Sequence, residues 1–141
     1  MEHCILSLLP GGDDVEILIV DDGSKDRTAE IADEYERKYP GIVRAIHQEN
    51  GGHGAAVNTG LAAAEGLYFK VVDSDDWLDE NAMRQVMAYL RSQLERDHAT
   101  DLVIGNYVYE KVHEGTRTVM GYFNVFPTEE EFGWKDVKHF R

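Results

Sequence analysis

The stretch that decides the fold reads Ile17-Leu18-Ile19-Val20-Asp21-Asp22-Gly23-Ser24. Its four consecutive aliphatic residues are typical of a strand that is buried on both faces of a parallel sheet. We therefore predict a strand over residues 15–20, ended by a turn, because Asp, Gly and Ser are residues that turns favour. Ser24 or Asp26 is then placed to cap a helix that runs to about Tyr39.

Apolar runs and helical patterns continue to alternate along the chain. The predicted elements that follow are, in chain order, a strand over 42–46, a helix over 55–64, a strand over 67–72 and a helix over 79–96. Such an order predicts right-handed crossovers and a mostly parallel sheet with helices on both faces, which is an α/β fold. Before the first strand, residues 1–9 fit a helix, with a short strand over 4–9 as the alternative. Residues 102–109 and 116–122 fit an antiparallel pair of strands.

The composition excludes several classes of protein. The 141 residues fit one domain with a core of its own, so we predict a single domain over residues 1–141. The 14 Lys and Arg residues against 27 Asp and Glu residues give a net charge of −13, which argues against a surface for nucleic acid or for anionic lipid. One cysteine excludes an internal disulfide and a zinc site of several thiolates. No apolar run approaches the roughly 20 residues that span a bilayer.

Polar residues follow each predicted parallel strand, where ligands bind in open α/β sheets. The three strand ends carry Asp21-Asp22-Gly23-Ser24, then the loop from His47 to Gly54, and then Asp73-Ser74-Asp75-Asp76. Because carboxylates on adjacent strand ends repel each other, we expect a counterion, and Mg²⁺ or Mn²⁺ suits oxygen ligands. The cation would bridge carboxylates to a diphosphate, while the glycine loop before Ala55 would offer backbone N–H groups to the same anion.

Three motifs gain specificity because they occur together and in order. They are Ile17-Leu18-Ile19-Val20-Asp21-Asp22-Gly23-Ser24 with Asp26 and Thr28, then Asn50-Gly51-Gly52 through Asn58-Thr59-Gly60-Leu61 with Ala64-Glu65-Gly66, and then Val71-Val72-Asp73-Ser74-Asp75-Asp76. Over roughly residues 1–109, this order and spacing resembles that of family 2 glycosyltransferases. The resemblance implies a GT-A fold, a nucleotide-diphospho-sugar donor with UDP as the expected nucleotide, and Mn²⁺ or Mg²⁺. It also implies transfer with inversion to a hydroxyl of a glycan or lipid-linked acceptor, as in bacterial polysaccharide biosynthesis.

The resemblance also implies roles for individual residues. By matching positions, Asp22 would accept the uracil N–H, and Gly52 and His53 would lie against the base. Asn58 and Asp73 complete the expected nucleotide-binding set, with Asp73 meeting the ribose or the metal. The expected metal ligands are Asp73 and Asp75.

Two departures from the family pattern shape further expectations. An apolar strand usually precedes the helix that residues 1–9 resemble, and no residue after Asp75 matches the family's catalytic base. We therefore expect a segment that is incomplete at both ends, with the base and the acceptor-binding half outside it. A second copy of the chain, in a homodimer, is one way to complete the sheet. The expected location is cytoplasmic, with membrane association only through a missing segment.

Two other functions remain as alternatives at this point. A nucleotidyltransferase of related fold would require a basic, glycine-rich loop near the N-terminus to hold a triphosphate, and no such loop is visible. A non-catalytic fragment that binds UDP would carry the same motifs and would not turn over.

Overall fold

A pair of parallel strands lies at the centre of the first part of the chain in the computed structural model. β1 (Ile17–Asp22) pairs with β2 (Val43–Gln48) in a register that places Ile17 beside Val43 and Asp22 beside Gln48. The structure describes residues 1–111, 113–122, 125–127 and 130–137. It divides into two compact units, Met1–Arg91 and Ser92–Arg141, which are described in turn.

Four helices accompany the sheet over the first 93 residues. They are α1 (Glu2–Leu8), α2 (Thr28–Lys38), α3 (His53–Ala63) and α4 (Glu80–Gln93). The helical reading of the opening residues is thus confirmed, and a 3-10 turn over Leu9–Asp14 connects α1 to the sheet. The other helices begin and end within a few residues of their predicted bounds. Asp26 accepts the N–H of Thr28 at 3.0 Å, so its side chain satisfies a donor in the first turn of α2.

Alternation along β1 divides the sheet into two faces. Ile17 and Ile19 pack with Ile5 of α1 and Tyr35 of α2 in one buried cluster. The intervening residues face α3, since a side-chain carbon at Gly60 would lie 3.5 Å from Val20. The prediction of helices on both faces of the sheet is therefore confirmed.

β2 shows the same division. Val43 belongs to the buried cluster on the side of α1 and α2. Arg44, the next residue, instead donates to the carbonyl oxygen of Ala63 at the end of α3 and forms an ion pair with Glu16, with Nη2 and Oε1 3.2 Å apart. The two paired strands thus present matching faces, and residues 21 and 47 share one face while residues 22 and 48 share the other.

The prediction of a third strand over residues 67–72 is wrong. These residues have no regular secondary structure, and four of the six, from Phe69 to Val71 together with Leu67, are exposed. A strand needs a neighbour to satisfy its backbone groups. In the described ranges β1 and β2 pair only with each other, so residues 67–72 lack the backbone partner that would make them a strand.

The chain beyond residue 72 returns to α1 before α4 begins. The ring of Trp77 stacks on His3 with centroids 4.8 Å apart, and the N–H of Leu78 donates to Ser7 Oγ at 3.0 Å. The Asp79 side chain then accepts the N–H of Ala82 at 2.9 Å, which satisfies a donor in the first turn of α4.

The second unit contains a β-hairpin. β3 (Tyr107–Lys111) pairs with β4 (Thr116–Met120) in antiparallel fashion, which confirms the predicted pair with shorter strands. Gly115 in the connecting turn has a φ of +62°. Whether the two units form the single predicted domain stays a prediction. Among the helices of the described ranges, none combines the length and hydropathy that a membrane span needs.

Candidate functional site

The carboxylate of Asp22 is the centre of a small hydrogen-bonded cluster at the end of β1. Its Oδ1 accepts the Gly51 N–H at 2.8 Å and the Gln48 Nε2 donor at 2.6 Å, while its Oδ2 accepts the Gly52 N–H at 2.7 Å. These bonds, that from Gly51 foremost, hold the pKa of Asp22 below its usual value. Asp22 is therefore an ionised acceptor at neutral pH.

Glycines let the loop after β2 approach the turn after β1. Gly23 has a φ of +71°, and a side-chain carbon there would lie only 2.8 Å from the backbone nitrogen of Asn50. Asn50 in turn donates its side-chain amide to the carbonyl oxygen of Asp22 at 3.0 Å. Gly52, with a φ of +84°, immediately precedes α3. A larger residue at position 23 would force the two segments apart.

The anion at the start of α3 is Asp22 itself. The sequence led us to expect that the glycine loop would reserve its N–H groups for a ligand anion. Two of them, on Gly51 and Gly52, instead donate to the Asp22 carboxylate. A carboxylate is favoured at this position because the N-terminus of a helix carries partial positive charge.

Asp21 lies on the opposite face of the sheet with a separate set of partners. Its buried carboxylate accepts the Ser24 N–H at 3.1 Å and lies 3.2 Å from His47 Nδ1. A hydrogen bond from the Ser24 side chain is the largest cause that lowers the pKa of Asp21, and the contacts with His47 and with the Ser24 N–H lower it further. His47 also contacts Asp33 of α2, with Nε2 and Oδ1 2.9 Å apart, and this contact raises the pKa of His47, with Asp21 contributing. Both aspartates at the end of β1 thus accept hydrogen bonds from groups of the protein, whereas we had expected an external cation to balance their charge.

The structure joins some of the predicted nucleotide-binding residues and not others. Asp22 and Gly52 are in direct contact through a hydrogen bond. His53 and Asn58 follow on α3 and are both exposed to solvent. Asp73 is exposed on the segment that was predicted, wrongly, to follow a third strand.

The predicted metal ligands Asp73 and Asp75 lie on an exposed turn with Asp76. The Asp76 N–H donates to the carbonyl oxygen of Asp73 at 2.9 Å. Burial raises the pKa of the Cys4 thiol, and the charges of Asp76, Asp73 and Asp75 raise it further. Over the described part of the chain, no three His, Cys, Asp or Glu side chains are grouped to hold a metal ion.

The donor set nevertheless fits a hard cation that also binds phosphate. Asp73 and Asp75 offer carboxylate oxygens, the ligand type that Mg²⁺ and Mn²⁺ favour. Mg²⁺ usually takes one or two carboxylates together with phosphate oxygens and water, so a third protein ligand is unnecessary. Both residues are exposed to solvent.

Sequence reasoning missed two members of the Asp22 cluster. Gln48 is the last residue of β2 and lies directly beside Asp22 in the register. Thr59 of α3 donates its hydroxyl to Gln48 Oε1 at 2.5 Å. The available signal was the pair of polar residues that ends each strand, Asp21-Asp22 and His47-Gln48, because paired strands that end together place such residues side by side.

Comparisons with known proteins identify relatives of this chain. The model of the family described as glycosyl transferase family 2 matches residues 1–141. A protein named as a glycosyltransferase, EpsH of Bacillus subtilis (strain 168), is 42% identical over 98 residues, which are 70% of this chain and 26% of EpsH. Glycosyltransferase GlyG of Streptococcus pneumoniae serotype 4 is 43% identical over 94 residues, which are 66% of this chain and 29% of GlyG. Chondroitin synthase of Escherichia coli is 40% identical over 81 residues, which are 57% of this chain and 12% of that enzyme. The chain thus spans less than a third of the length of these curated relatives.

Proposed function

Because the chain belongs to glycosyl transferase family 2, whose members have the GT-A fold, we propose that it binds a UDP-sugar as the donor substrate. In the proposed reaction, the sugar is transferred from UDP to a hydroxyl group of the acceptor. Membership of the family supports a glycosyltransferase activity with a nucleotide sugar as the donor. The proposal adds three points. The nucleotide is UDP, the residues named below bind it, and the transfer inverts the configuration at the sugar carbon.

The Asp22 cluster is the observation that carries the proposal. Carboxylate oxygens accept about two hydrogen bonds each, so the three donors around Asp22 leave one acceptor position, on Oδ2. The imide N–H of uracil is a donor of matching chemistry. Backbone N–H groups from a glycine loop keep this acceptor charged and fixed before any ligand arrives. Gly52, His53 and Asn58 begin the helix beside it and would line the nucleotide.

Asp73 and Asp75 would hold Mn²⁺ or Mg²⁺ together with the diphosphate, with Asp73 also in reach of the ribose. When bound, the cation supplies Lewis-acid stabilisation of the charge on the leaving diphosphate. The two aspartates contribute the negative charge that attracts the cation in a chain whose net charge of −13 would otherwise repel a diphosphate.

The acceptor and the base that activates it remain outside the residues assigned here. A glycan or lipid-linked acceptor is proposed, and the similarity to a protein named chondroitin synthase supports a glycan. An inverting reaction requires a base to take the acceptor's hydroxyl proton. The expectation that a second copy completes the sheet stays a prediction, to be checked by sedimentation velocity.

A calorimetric titration of UDP into the protein tests the proposal. We expect binding with Mn²⁺ present, and binding at least about tenfold weaker when EDTA removes the metal, a change of ~1.4 kcal/mol. Asp75→Asn should abolish the part of UDP binding that depends on the metal. Asp73→Asn should weaken UDP binding more than Asp75→Asn does, because Asp73 is assigned contacts with both the metal and the ribose. Glu34→Gln, which removes the same charge from an exposed site on α2, should bind like the unchanged protein.

Each other result has a definite meaning. Binding that ignores EDTA would remove the metal role of Asp75 and leave the nucleotide site. No binding in either condition would contradict the proposal as a whole. Binding without transfer, once an acceptor is supplied, would favour the alternative of a non-catalytic module that binds UDP.

A further inference from the structure

A chain of side-chain hydrogen bonds runs from α3 through the last residue of β2 to the last residue of β1, on the face of the sheet that packs against α3. The Thr59 hydroxyl donates to Gln48 Oε1 at 2.5 Å, and Gln48 Nε2 donates to Asp22 Oδ1 at 2.6 Å. All three residues are half-buried. Both bonds therefore lie where water competes less well than it does at an exposed surface.

The direction of these bonds is fixed by Asp22. An ionised carboxylate can only accept, so the side chain of Gln48 must turn its amide nitrogen toward Asp22. The amide oxygen then faces Thr59, which must donate its hydroxyl proton. Each member of the chain thus has one allowed orientation, and the orientation originates from the charge on Asp22.

The Gln48 bond also determines which oxygen of Asp22 stays open. Oδ1 accepts two donors, from Gln48 and Gly51, and is saturated. Oδ2 accepts only the Gly52 N–H and keeps one position. Without Gln48, each oxygen would keep one glycine donor and one open position, so the carboxylate would no longer present a single acceptor position.

We propose that Gln48, held in place by Thr59, is a positioning residue that leaves one oxygen of Asp22 as the acceptor for the imide N–H of the donor's uracil. This inference rests on the proposed function, in which Asp22 contacts the base. Gln48 itself touches no substrate in this proposal and acts only through Asp22.

A purely structural role for Gln48 makes a different prediction. If the chain of bonds serves only to hold α3 on the sheet, its loss lowers stability and weakens every nucleotide alike. A positioning role affects ligands that donate from N3 of the base. UDP has this donor, and N3-methyl-UDP has a methyl group in its place, so the two ligands separate the roles.

The experiment compares both ligands in four proteins by calorimetric titration with Mn²⁺ present. The variants are Gln48→Met, which keeps the length without the amide, Thr59→Val, which keeps the volume without the hydroxyl, and Thr59→Ser, which keeps the hydroxyl. We expect UDP to bind about tenfold more weakly to Gln48→Met and about threefold more weakly to Thr59→Val. Thr59→Ser should bind UDP as the unchanged protein does, and N3-methyl-UDP should bind all four proteins within about twofold.

The outcomes separate this inference from the proposed function. If the unchanged protein binds no UDP, the proposed function fails and takes this inference with it. If it binds UDP while Gln48→Met and Thr59→Val bind UDP equally well, only the positioning role is overturned. An equal loss for UDP and N3-methyl-UDP would also overturn it and would assign Gln48 a structural role. Should Gln48→Met fail to fold by circular dichroism, Thr59→Val and its Thr59→Ser control carry the same test.

Discussion

His47 bridges a buried carboxylate and an exposed one, and its replacement should make the stability of the protein less dependent on pH. Nδ1 lies 3.2 Å from Asp21 Oδ2, and Nε2 lies 2.9 Å from Asp33 Oδ1. Only a protonated histidine can donate to both at once. His47→Leu removes both contacts and introduces no new donor.

The two contacts differ in expected strength. The side chains of His47 and Asp33 are 42% and 54% exposed, so solvent screening limits this contact to about 0.2–1 kcal/mol. Asp21 is 6% exposed, and a hydrogen bond to a charged partner of this kind contributes about 1 kcal/mol after discounting for the exposed histidine. We therefore expect His47→Leu to cost about 1–2 kcal/mol, or roughly 5–15 °C in melting temperature for a unit of this size.

The sign of the pH dependence follows from the two pKa shifts. The pKa of His47 is raised above 6.5, so its contribution is complete below pH 6.5 and is lost as the pH rises through the folded-state value. The pKa of Asp21 is lowered below 3.8, so its contribution is complete above that pH and is lost as the pH falls through the folded-state value. The stabilisation should therefore be greatest between about pH 4 and pH 6.5.

Urea denaturation followed by circular dichroism at pH 5.5 and pH 8.5 provides the assay. The difference between the unchanged protein and His47→Leu should fall by about half or more at the higher pH, because neutral His47 keeps only one donor. His98→Leu, at an exposed position in the second unit, is the matched control and should show no such change. A difference that stays constant with pH, or grows toward pH 8.5, would refute the reasoning.

Two further predictions concern the core and the turn after β1. Ile5→Ala should lower the free energy of unfolding by about 2–5 kcal/mol, because Ile5 is 2% exposed in the main cluster, whereas Leu6→Ala on the outer side of α1 should cost less than about 0.5 kcal/mol. Equal losses in urea denaturation would show that the cluster is not the core. Gly23→Ala should cost at least about 2 kcal/mol and weaken UDP binding, whereas Gly41→Ala, at φ +84° with open space around it, should cost only the roughly 1 kcal/mol of a left-handed alanine. Calorimetric and denaturation data that rank Gly41→Ala as the more harmful change would contradict the close approach at Gly23.

Local signals in the sequence were sufficient to predict the first two strands. Residues 17–20 are an apolar run, residues 42–46 are apolar except for Arg44, and the two strands pair with each other. Asp26 was one of two residues expected to cap α2, and Asp79 is the first residue of the helix predicted over 79–96. Each satisfies a backbone donor in the first turn of its helix, as a short carboxylate can. These features depend on neighbours in the chain, so a single sequence displays them.

The failure at residues 67–72 has the opposite cause. Their pattern is as apolar as that of β1, and Phe69 reaches toward α3, where a side-chain carbon at Gly60 would lie 4.0 Å from its ring. Strand formation also requires a neighbouring backbone at hydrogen-bonding distance. The hydrophobic pattern of a segment indicates which side chains are to be buried. It does not indicate whether another strand lies beside the segment to form hydrogen bonds with its backbone.

The sequence singled out individual residues of the candidate site but did not predict the hydrogen bonds among them. Asp22 and Gly52 were singled out as separate contacts to a nucleotide, and they prove to bind each other. Gln48 was missed because the strand was predicted to end at residue 46, which assigned Gln48 to the loop, whereas β2 extends to Gln48. Its role becomes visible only from the register that sets it beside Asp22, and register is a property of two strands together.

That register explains how two adjacent aspartates can serve different purposes. Successive residues of a strand point to opposite faces, so Asp21 joins His47 and Asp33 on the side of α2, while Asp22 joins Gln48 and the glycine loop on the side of α3. Among the described residues the two networks share no hydrogen-bond partner, and the charge of Asp21 is the last-ranked cause that acts on the pKa of Asp22, so the effects of the two perturbations should nearly add. A double variant of His47→Leu and Gln48→Met should accordingly show the pH-dependent instability of the first and the selective loss of UDP of the second, each at its single-variant size. A marked departure from additivity would mean that the two faces communicate through the strand, and that Asp21 helps to set the carboxylate of Asp22.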